Sequence, residues 1–439
     1  MEFSPPMWDS PLVVSDAARA LPHRGWPLGP DYWRLVFSSG LSNLSDGAFK
    51  VALPLVAIEF TRSPILIAGL TIAVTLPWLL FALPAGAFAD RLDRRHAMVG
   101  ANVVRAGLLA VLMAGATLGA ESIWLLYAVA VCIGVAETIY DTSAQSILPQ
   151  VVARDQLPRA NGRLYAVELT ANEFVGPALA GVVVAAGATV AFGTPAALWA
   201  GAVAALLLMR GSYRAERNRR TTLRADIAEG LRFLWQHRLL RTLAVMVGVS
   251  NFTGNAVMAI LVLYAVGPES DMKLSTQAFG LLMAIFAAGS LAGSFVAEWI
   301  HRTLGRARSL SLTIVTRALP FAVLAVTANL YLVGATFFLG GATNIVWNII
   351  TVSLRQHITP DRLLGRVTSG YRLVAWGSMP LGAATGGLLA YPLGLRPVFA
   401  IMAVLTMALL AGMTIVTDNR MNAADRDADL PEPDHPGQT

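Results

Sequence analysis

Three carboxylates stand inside long apolar segments of the sequence, where ionisable side chains are rare. Asp46 lies between Asn43 and Lys50 in one segment, and Glu137 precedes Asp141 by four residues in another. The chemistry open to such groups is proton exchange, because burial favours the neutral acid whereas water or a nearby cation favours the carboxylate. Asp46, Glu137 and Asp141 are therefore candidates for proton coupling. Two alternatives remain open: Asp46 and Lys50 neutralise each other, and the other two acids form ion pairs with loop arginines.

A second set of polar residues recurs at helical spacing in other apolar segments. Asn251 precedes Asn255 by four residues, and Asn344 precedes Asn348 in the same way. Residues four apart share a helix face, so each pair could hydrogen-bond a substrate or join neighbouring helices. Indole rings nearby could stack on a flat ligand or serve only in packing. The predicted cavity residues are Asn43, Asn251, Asn255, Asn344, Trp347, Asn348 and Trp376.

Charged residues near one end of two further segments suggest a gate. Glu168 and Glu173 fall in one segment, and Arg372 falls at a comparable depth in another. Ion pairs between these segments would close that side of the molecule. Glu168, Glu173 and Arg372 are the gate candidates.

The elements that position these residues are membrane-spanning helices. The chain has 439 residues, of which 55% are apolar and 14% are charged, whereas a soluble domain has about 25% charged residues. Several uninterrupted apolar stretches reach the ~20 residues that cross a bilayer. The sequence predicts an all-α polytopic protein with twelve transmembrane helices. Its single cysteine, Cys132, excludes an internal disulfide or a cysteine-based metal site.

Basic residues alternate between successive loops. One set of loops is rich in arginine, whereas the other set holds only Arg62, Lys273 and Arg396. Since basic residues in short loops stay in the cytoplasm, both termini and the central linker are expected to be cytoplasmic. The net charge of +6 reflects these loop arginines and predicts no nucleic-acid partner.

Three sequence blocks return in the same order at offsets of 206 to 212 residues; among them, Arg105 aligns with Arg317 and Gly181 with Gly387. Parallel repeats of this kind are typical of one large class of secondary transporters. We therefore expect two six-helix bundles in the same orientation. The predicted divisions are an N-terminal arm (1–33), a first bundle (34–209), a linker with an amphipathic helix (210–240), a second bundle (241–416) and a disordered acidic tail (417–439).

These features resemble the major facilitator superfamily from Trp33 to Val416. "GAFADRLDRR" is similar to the family's signature after the second helix, and the resemblance implies that it locks the cytoplasmic face, with Asp90 bracing against the segment near Gly365. "NEFVGPALAG" resembles the fifth-helix motif of the family's exporters. The latch candidates are Gly86, Asp90, Arg91, Arg95, Gly293, Glu298 and Arg302, and the exporter-motif residues are Gly176, Pro177 and Gly181.

The resemblance also implies a function. "IAEGLRFLWQHRLLRTL" and "LPQVVARDQLPRANGRL" resemble drug exporters, a subgroup that includes macrolide pumps and siderophore exporters. Many such antiporters carry an arginine in the fourth span, and this chain has none there, which leaves the coupling residue open. The expectation is proton-coupled efflux of amphipathic, drug-like molecules by alternating access. Export of a siderophore or other metabolite, lysolipid flipping, solute import and a non-transporting receptor are the alternatives.

No nucleotide-binding signature, catalytic motif, cofactor or metal site is recognised in the sequence. We expect a protein that is not an enzyme and works as a monomer in the bacterial cytoplasmic membrane. Its expected partners are a small-molecule substrate, protons and the lipid bilayer.

Overall fold

The computed structural model describes residues 28–89, 93–119, 122–153, 156–211, 213 and 223–428. The described chain is almost entirely helical. A π-helical turn, Thr170–Val175, separates α5 from α6, and a short 3₁₀ helix, Leu409–Thr414, follows α14. The α-helices are α1 (Pro30–Ala57), α2 (Pro64–Ala89), α3 (Arg94–Leu118), α4 (Ile123–Val151), α5 (Leu157–Leu169), α6 (Gly176–Ala185), α7 (Ala188–Leu207), α8 (Leu223–Gln236), α9 (Arg238–Ala265), α10 (Thr276–Leu304), α11 (Arg306–Val326), α12 (Leu330–Ile358), α13 (Asp361–Leu393), α14 (Leu395–Ala408) and α15 (Asp418–Ala428).

Eleven helical segments of the described chain are long and apolar enough to cross a membrane, with α5, the π-helical turn and α6 counting as one. The remaining span is α1, which has 28 residues. Its interior carries the polar stripe that includes Asn43, Asp46 and Lys50, and this lowers its apolar character. Together these segments form the twelve spans predicted from the sequence.

The spans form two groups with the same internal packing. In the first group α2 packs on α4, α3 on α7, and α1 on α6. In the second group the equivalent pairs are α10 with α12, α11 with α14, and α9 with α13. The groups meet where α2 packs on α13 and α6 packs on α10. This is the predicted fold of two pseudo-symmetric six-helix bundles.

Glycines permit the close crossing of α6 and α10. A Cβ at Gly181 would lie 2.7 Å from the carbonyl oxygen of Thr276 and 3.2 Å from the Cα of Gly280. A Cβ at Gly280 would in turn lie 2.7 Å from the carbonyl oxygen of Pro177. Since a side chain at either position would collide with backbone, the two bundles can approach this closely only through glycine.

The linker helix α8 packs against the second bundle. Leu234 is fully buried and clusters with Leu363 and Val367 of α13, while Glu229 forms an ion pair with Arg366. The described apolar face of this amphipathic helix therefore covers the first turns of α13.

The described part of the tail, up to residue 428, differs from its predicted disorder. Residues 418–428 form α15, and Met421 is fully buried in the cluster that includes Leu310 and Leu354. The carboxylate of Asp418 also accepts a hydrogen bond from the backbone N–H of Ala307 at 3.0 Å, at the start of α11. Composition alone predicted disorder here because Met421 is the single large apolar anchor in an otherwise polar segment.

Candidate functional site

A central cavity of about 880 Å³ lies between the two bundles. Its walls come from α5 and the π-helical turn on one side and from α9 to α14 on the other. Six of the seven predicted cavity residues line it, and Asn43 does not. The six are Asn251, Asn255, Asn344, Trp347, Asn348 and Trp376.

The cavity lies toward one side of the molecule, which we call the terminal side because α1 begins there and α15 lies there. Its lining residues belong to the middle and the terminal-side parts of their helices, such as Tyr165 of α5, Arg355 of α12 and Leu409 after α14. On the opposite side, α2 packs on α13 and α6 on α10. There Arg62 also donates a 2.9 Å hydrogen bond to the carbonyl oxygen of Val266, from one bundle to the other. The bundles are therefore in contact on one side and separated by a cavity on the other.

Amide groups of the cavity wall are held in place by neighbouring backbone and side-chain groups. The Asn251 amide donates to the carbonyl oxygen of Ala375 at 2.8 Å. Asn255 donates to the carbonyl oxygen of Asn251 at 3.0 Å. The side-chain oxygen of Asn344 accepts a hydrogen bond from the Arg317 guanidinium at 3.2 Å. These contacts fix the orientation of the polar stripe predicted on α9 and α12.

The Trp376 ring is also packed within the cavity wall. It lies edge-to-face with Trp78 of α2, with ring centroids 5.1 Å apart, and the Arg372 guanidinium lies 5.3 Å from its centroid. The ring therefore bridges the two bundles, and packing accounts for part of its position. Trp376 is also one of the residues that line the cavity.

The candidate proton-coupling residues belong to a buried network in the first bundle. Asp46 is 3% exposed and pairs with the fully buried Arg105 of α3, at 3.4 Å. Glu137 pairs with Lys50 at 3.1 Å. Asp141 lies close enough to Glu137 and Asp46 to interact electrostatically with both.

These pairs differ from the alternatives for Asp46 and for Glu137. The side chains of Asp46 and Lys50 each take their ion-pair partner from another helix. Glu137 pairs with Lys50 of α1 in the interior, and no described loop arginine takes that position. Both pairings depend on how neighbouring helices are placed, and the spacing of residues within one helix does not reveal this.

Arg105 is the member of this network that residue-by-residue reasoning missed. Its guanidinium also donates to the Asn102 side chain at 3.2 Å and lies 5.2 and 5.4 Å from the ring centroids of Tyr140 and Trp199. The arginine beside Asp46 thus comes from the third span. Its position alone in an apolar segment was the available signal, because ionisable residues inside membranes are rare and usually functional.

The gate candidates are not ion-paired with one another within the described chain. Glu173 and Arg372 both line the central cavity, Glu173 lies near Lys50, and Arg372 lies against Trp376. Glu168 is near the hydroxyl of Ser39. In this conformation Glu173 and Arg372 belong to opposite walls of the cavity, and Glu168 does not line it.

Only part of the latch strip, the GAFADRLDRR segment of residues 86–95, belongs to the described residues. Asp90 and Arg91 lie outside the described residues, and so do the surroundings of Gly86. Arg95 donates hydrogen bonds to the carbonyl oxygens of Leu206 and Leu207, at 2.8 and 2.9 Å. It therefore binds the carboxyl end of α7 within its own bundle, where a cation is favoured.

Asp93 caps the start of α3. Its carboxylate accepts hydrogen bonds from the first backbone N–H groups of α3 and from the N–H of Tyr213 at 2.7 Å. It thereby ties the linker to the start of α3.

The counterparts in the second bundle have local roles in this conformation. A Cβ at Gly293 would collide with the backbone of Ala342, so this glycine permits the close packing of α10 on α12. Glu298 and Arg302 form an exposed ion pair with each other at 2.5 Å, one helical turn apart.

The exporter-motif residues surround the π-helical turn. A Cβ at Gly176 would lie 2.8 Å from backbone atoms of Gly47 and Ala48, so α6 begins in direct backbone contact with α1. Pro177 occupies the first turn of α6, where proline is tolerated. Gly181 lies at the crossing with α10.

Comparison with known proteins places the chain in a family. Residues 26–438 match the profile of the family described as transmembrane secretion effector. The chain is 29% identical to the multidrug efflux pump Tap of Mycobacterium tuberculosis, over 84% of this chain and 89% of that protein. It is 27% identical to the MFS-type transporter y4rN of Sinorhizobium fredii, over 91% of this chain and 98% of that protein.

Solved structures show the same fold. The crystal structure of a POT family transporter in complex with 5-aminolevulinic acid aligns with a TM-score of 0.74 at 11% identity, covering 91% of this chain and 99% of that one. The chain belongs to the transmembrane secretion effector family of the major facilitator superfamily.

Proposed function

We propose that the protein is a proton-coupled exporter of amphipathic small molecules that works by alternating access. The observation that carries the proposal is the central cavity of about 880 Å³ at the bundle interface, beside a buried network of ionisable groups. Such a volume lies within the ~300–1,000 Å³ of small-molecule sites. The name of the M. tuberculosis relative, a multidrug efflux pump, supports export of drug-like compounds.

The charge balance of the buried network supports proton coupling. Three acids in the interior of the first bundle share two basic partners, and isolated buried charges are costly. The network approaches neutrality when it binds protons, and a change in water access would release them. The acids are Asp46, Glu137 and Asp141, and the bases are Arg105, which is fully buried, and Lys50, whose side chain is 40% exposed.

The difference between the two sides of the molecule, one open and one closed, supports alternating access. The cavity lies toward the terminal side, which the basic loops predict to be cytoplasmic, and the opposite side is closed by the glycine crossing of α6 and α10. We take residues 34–209 and 241–416 as the moving bundles and the Asp90 strip as the latch of the outward-open state. The expected setting is a monomer in the bacterial cytoplasmic membrane with both termini inside.

The test is proton movement driven by substrate in proteoliposomes that contain a pH-sensitive dye. We expect a lipophilic substrate to drive proton movement with the wild type, and Asp46→Asn to reduce this movement to the level of empty liposomes, because asparagine has no titratable proton at the centre of the network. Equilibrium binding of the same substrate should persist.

Asp271→Asn is the matched control, since Asp271 is a surface carboxylate paired with Arg396 at 2.8 Å outside the cavity. It should leave proton movement at the wild-type level. Substrate-driven proton movement that survives in Asp46→Asn would show that this carboxylate does not couple transport to protons.

A further inference from the structure

The central cavity has a surplus of positive charge on its wall. Its charged lining residues are Glu173, Arg317, Arg355 and Arg372. Glu173 has Lys50 as a neighbouring cation. Within the described part of the chain none of the three arginines forms an ion pair. The second bundle therefore offers guanidinium groups to whatever occupies the cavity.

Arg317 is the most deeply placed of these groups, near the middle of α11. Its two terminal nitrogens donate to neutral acceptors, the side-chain oxygen of Asn344 and the carbonyl oxygen of Ser250, each at 3.2 Å. Its Nε is buried and has no hydrogen-bond partner. A guanidinium held by neutral groups on the wall of a cavity is oriented but not neutralised.

The internal repeat allows the surroundings of Arg317 to be compared with those of Arg105. Its counterpart Arg105 faces Asp46 in the first bundle. In the second bundle Gly254 occupies the equivalent place, and a Cβ there would lie 3.0 Å from a terminal nitrogen of Arg317. Each bundle has the arginine, but among the described residues Arg105 has a carboxylate beside it and Arg317 has none.

Arg355 extends the positive wall toward the terminal side. It is 9% exposed, and its Nε and one terminal nitrogen have no hydrogen-bond partner. Its guanidinium lies 4.1 Å from the ring centroid of Tyr371. Arg372 also lines this part of the cavity, so a path bordered by cations leads toward Arg317.

We infer that the cavity binds an amphipathic organic anion, with its carboxylate, sulfonate or phosphate group on Arg317 and its apolar body against the walls that include Trp347. An isolated buried charge is costly unless it is paired, and a ligand anion supplies the missing partner in the place that Asp46 occupies beside Arg105. Arginine suits this role because its planar fork matches the geometry of such oxyanions. This inference deepens the proposed function by naming the substrate class.

The test compares three ligands that differ only in their head group: 1-pyrenebutyrate, 1-pyrenebutanol and 1-pyrenylbutyl-trimethylammonium. Binding to the purified full-length protein in detergent is measured by energy transfer from tryptophan to pyrene. We expect the anion to bind most tightly. Arg317→Gln should weaken binding of the anion by ~10- to 100-fold, the range expected for charge-assisted hydrogen bonds, and change binding of the other two ligands by less than ~3-fold.

Arg308→Gln is the matched control, because Arg308 is an exposed arginine in the first turn of the same helix. Arg317→Lys keeps the charge but not the planar fork and should retain part of the preference for the anion. Thermal unfolding of each variant checks that it is folded. Equal affinities for the three ligands in the wild type, or an equal loss for all three in folded Arg317→Gln, would overturn the inference.

Two sources of the anionic group are distinguished by competition. Displacement of 1-pyrenebutyrate by phosphatidylglycerol but not by phosphatidylcholine would assign the site to a lipid head group, whereas displacement by benzoate or naphthalene sulfonate alone would assign it to a soluble anion. Transport of cations with no role for Arg317 would leave the proposed function intact and refute the inference. Anion binding through Arg317 without any proton movement would support the inference and refute the proton coupling of the proposed function.

Discussion

Replacement of Arg105 by alanine is expected to destabilise the protein by about 3–5 kcal/mol, the cost of removing one partner from a buried ion pair. Arg105 is fully buried, and its guanidinium is 3.4 Å from the carboxylate of Asp46. Its loss also removes contacts with the rings of Tyr140 and Trp199. The measurement is the thermal unfolding midpoint of the purified protein in detergent, which should fall by many degrees.

Two further variants separate the ion pair from the general effect of losing a large side chain. The double variant Arg105→Met with Asp46→Asn removes both charges and keeps much of the volume, so it should recover most of the lost stability. Arg302→Ala breaks an exposed pair with Glu298, and such pairs contribute little. If Arg105→Ala unfolds at the same temperature as Arg302→Ala, the buried pair does not stabilise the first bundle.

Replacement of Gly181 by leucine is expected to open the side of the molecule opposite the terminal side. The new side chain would collide with backbone of α10 around Thr276 and Gly280, and overpacking of this kind costs ~1–3 kcal/mol. Because the collision exists only when α6 and α10 are in contact, this cost shifts the population toward the conformation in which they separate. A shift of roughly 5- to 150-fold corresponds to that cost.

The shift can be measured as a distance between spin labels on the opposite side. Leu118→Cys at the end of α3 and Tyr331→Cys near the start of α12 place labels on the two bundles at residues that are 81% and 86% exposed, in a Cys132→Ser background. The distance distribution should move to longer values in Gly181→Leu. Gly107→Leu is the matched control, since a side chain at Gly107 meets open space. An unchanged distribution in folded Gly181→Leu would contradict this account of the closed side.

The number of spans and the polar stripes of α1, α4, α9 and α12 could be predicted from the sequence. Hydrophobic length reports spans directly, and residues such as Asn251 and Asn255 share a helix face whatever the packing. Six of the seven predicted cavity residues line the observed cavity. Asn43 does not, because its amide group is directed to α1 and the π-helical turn, where its oxygen accepts a hydrogen bond from Asn172 at 3.2 Å.

The partners within the network could not be predicted, because they depend on how helices are placed around one another. Lys50 is one turn from Asp46 along α1, yet it pairs with Glu137 of α4, while Asp46 pairs with Arg105 of α3. The repeat aligned Arg105 with Arg317 but carried no information on what each faces. The difference between Asp46 and Gly254 beside these arginines becomes meaningful only in the folded bundles.

In the mechanism that we propose, one cavity between the two bundles opens to each side of the membrane in turn. Asn348 lines this cavity and is exposed to it, so we would measure the labelling of Asn348→Cys, in a Cys132→Ala background, by a membrane-impermeant thiol reagent in right-side-out and everted vesicles. Alternating access predicts labelling from both sides, with the ratio changing when a proton gradient is imposed. Labelling from one side only, under every gradient and with or without substrate, would contradict it.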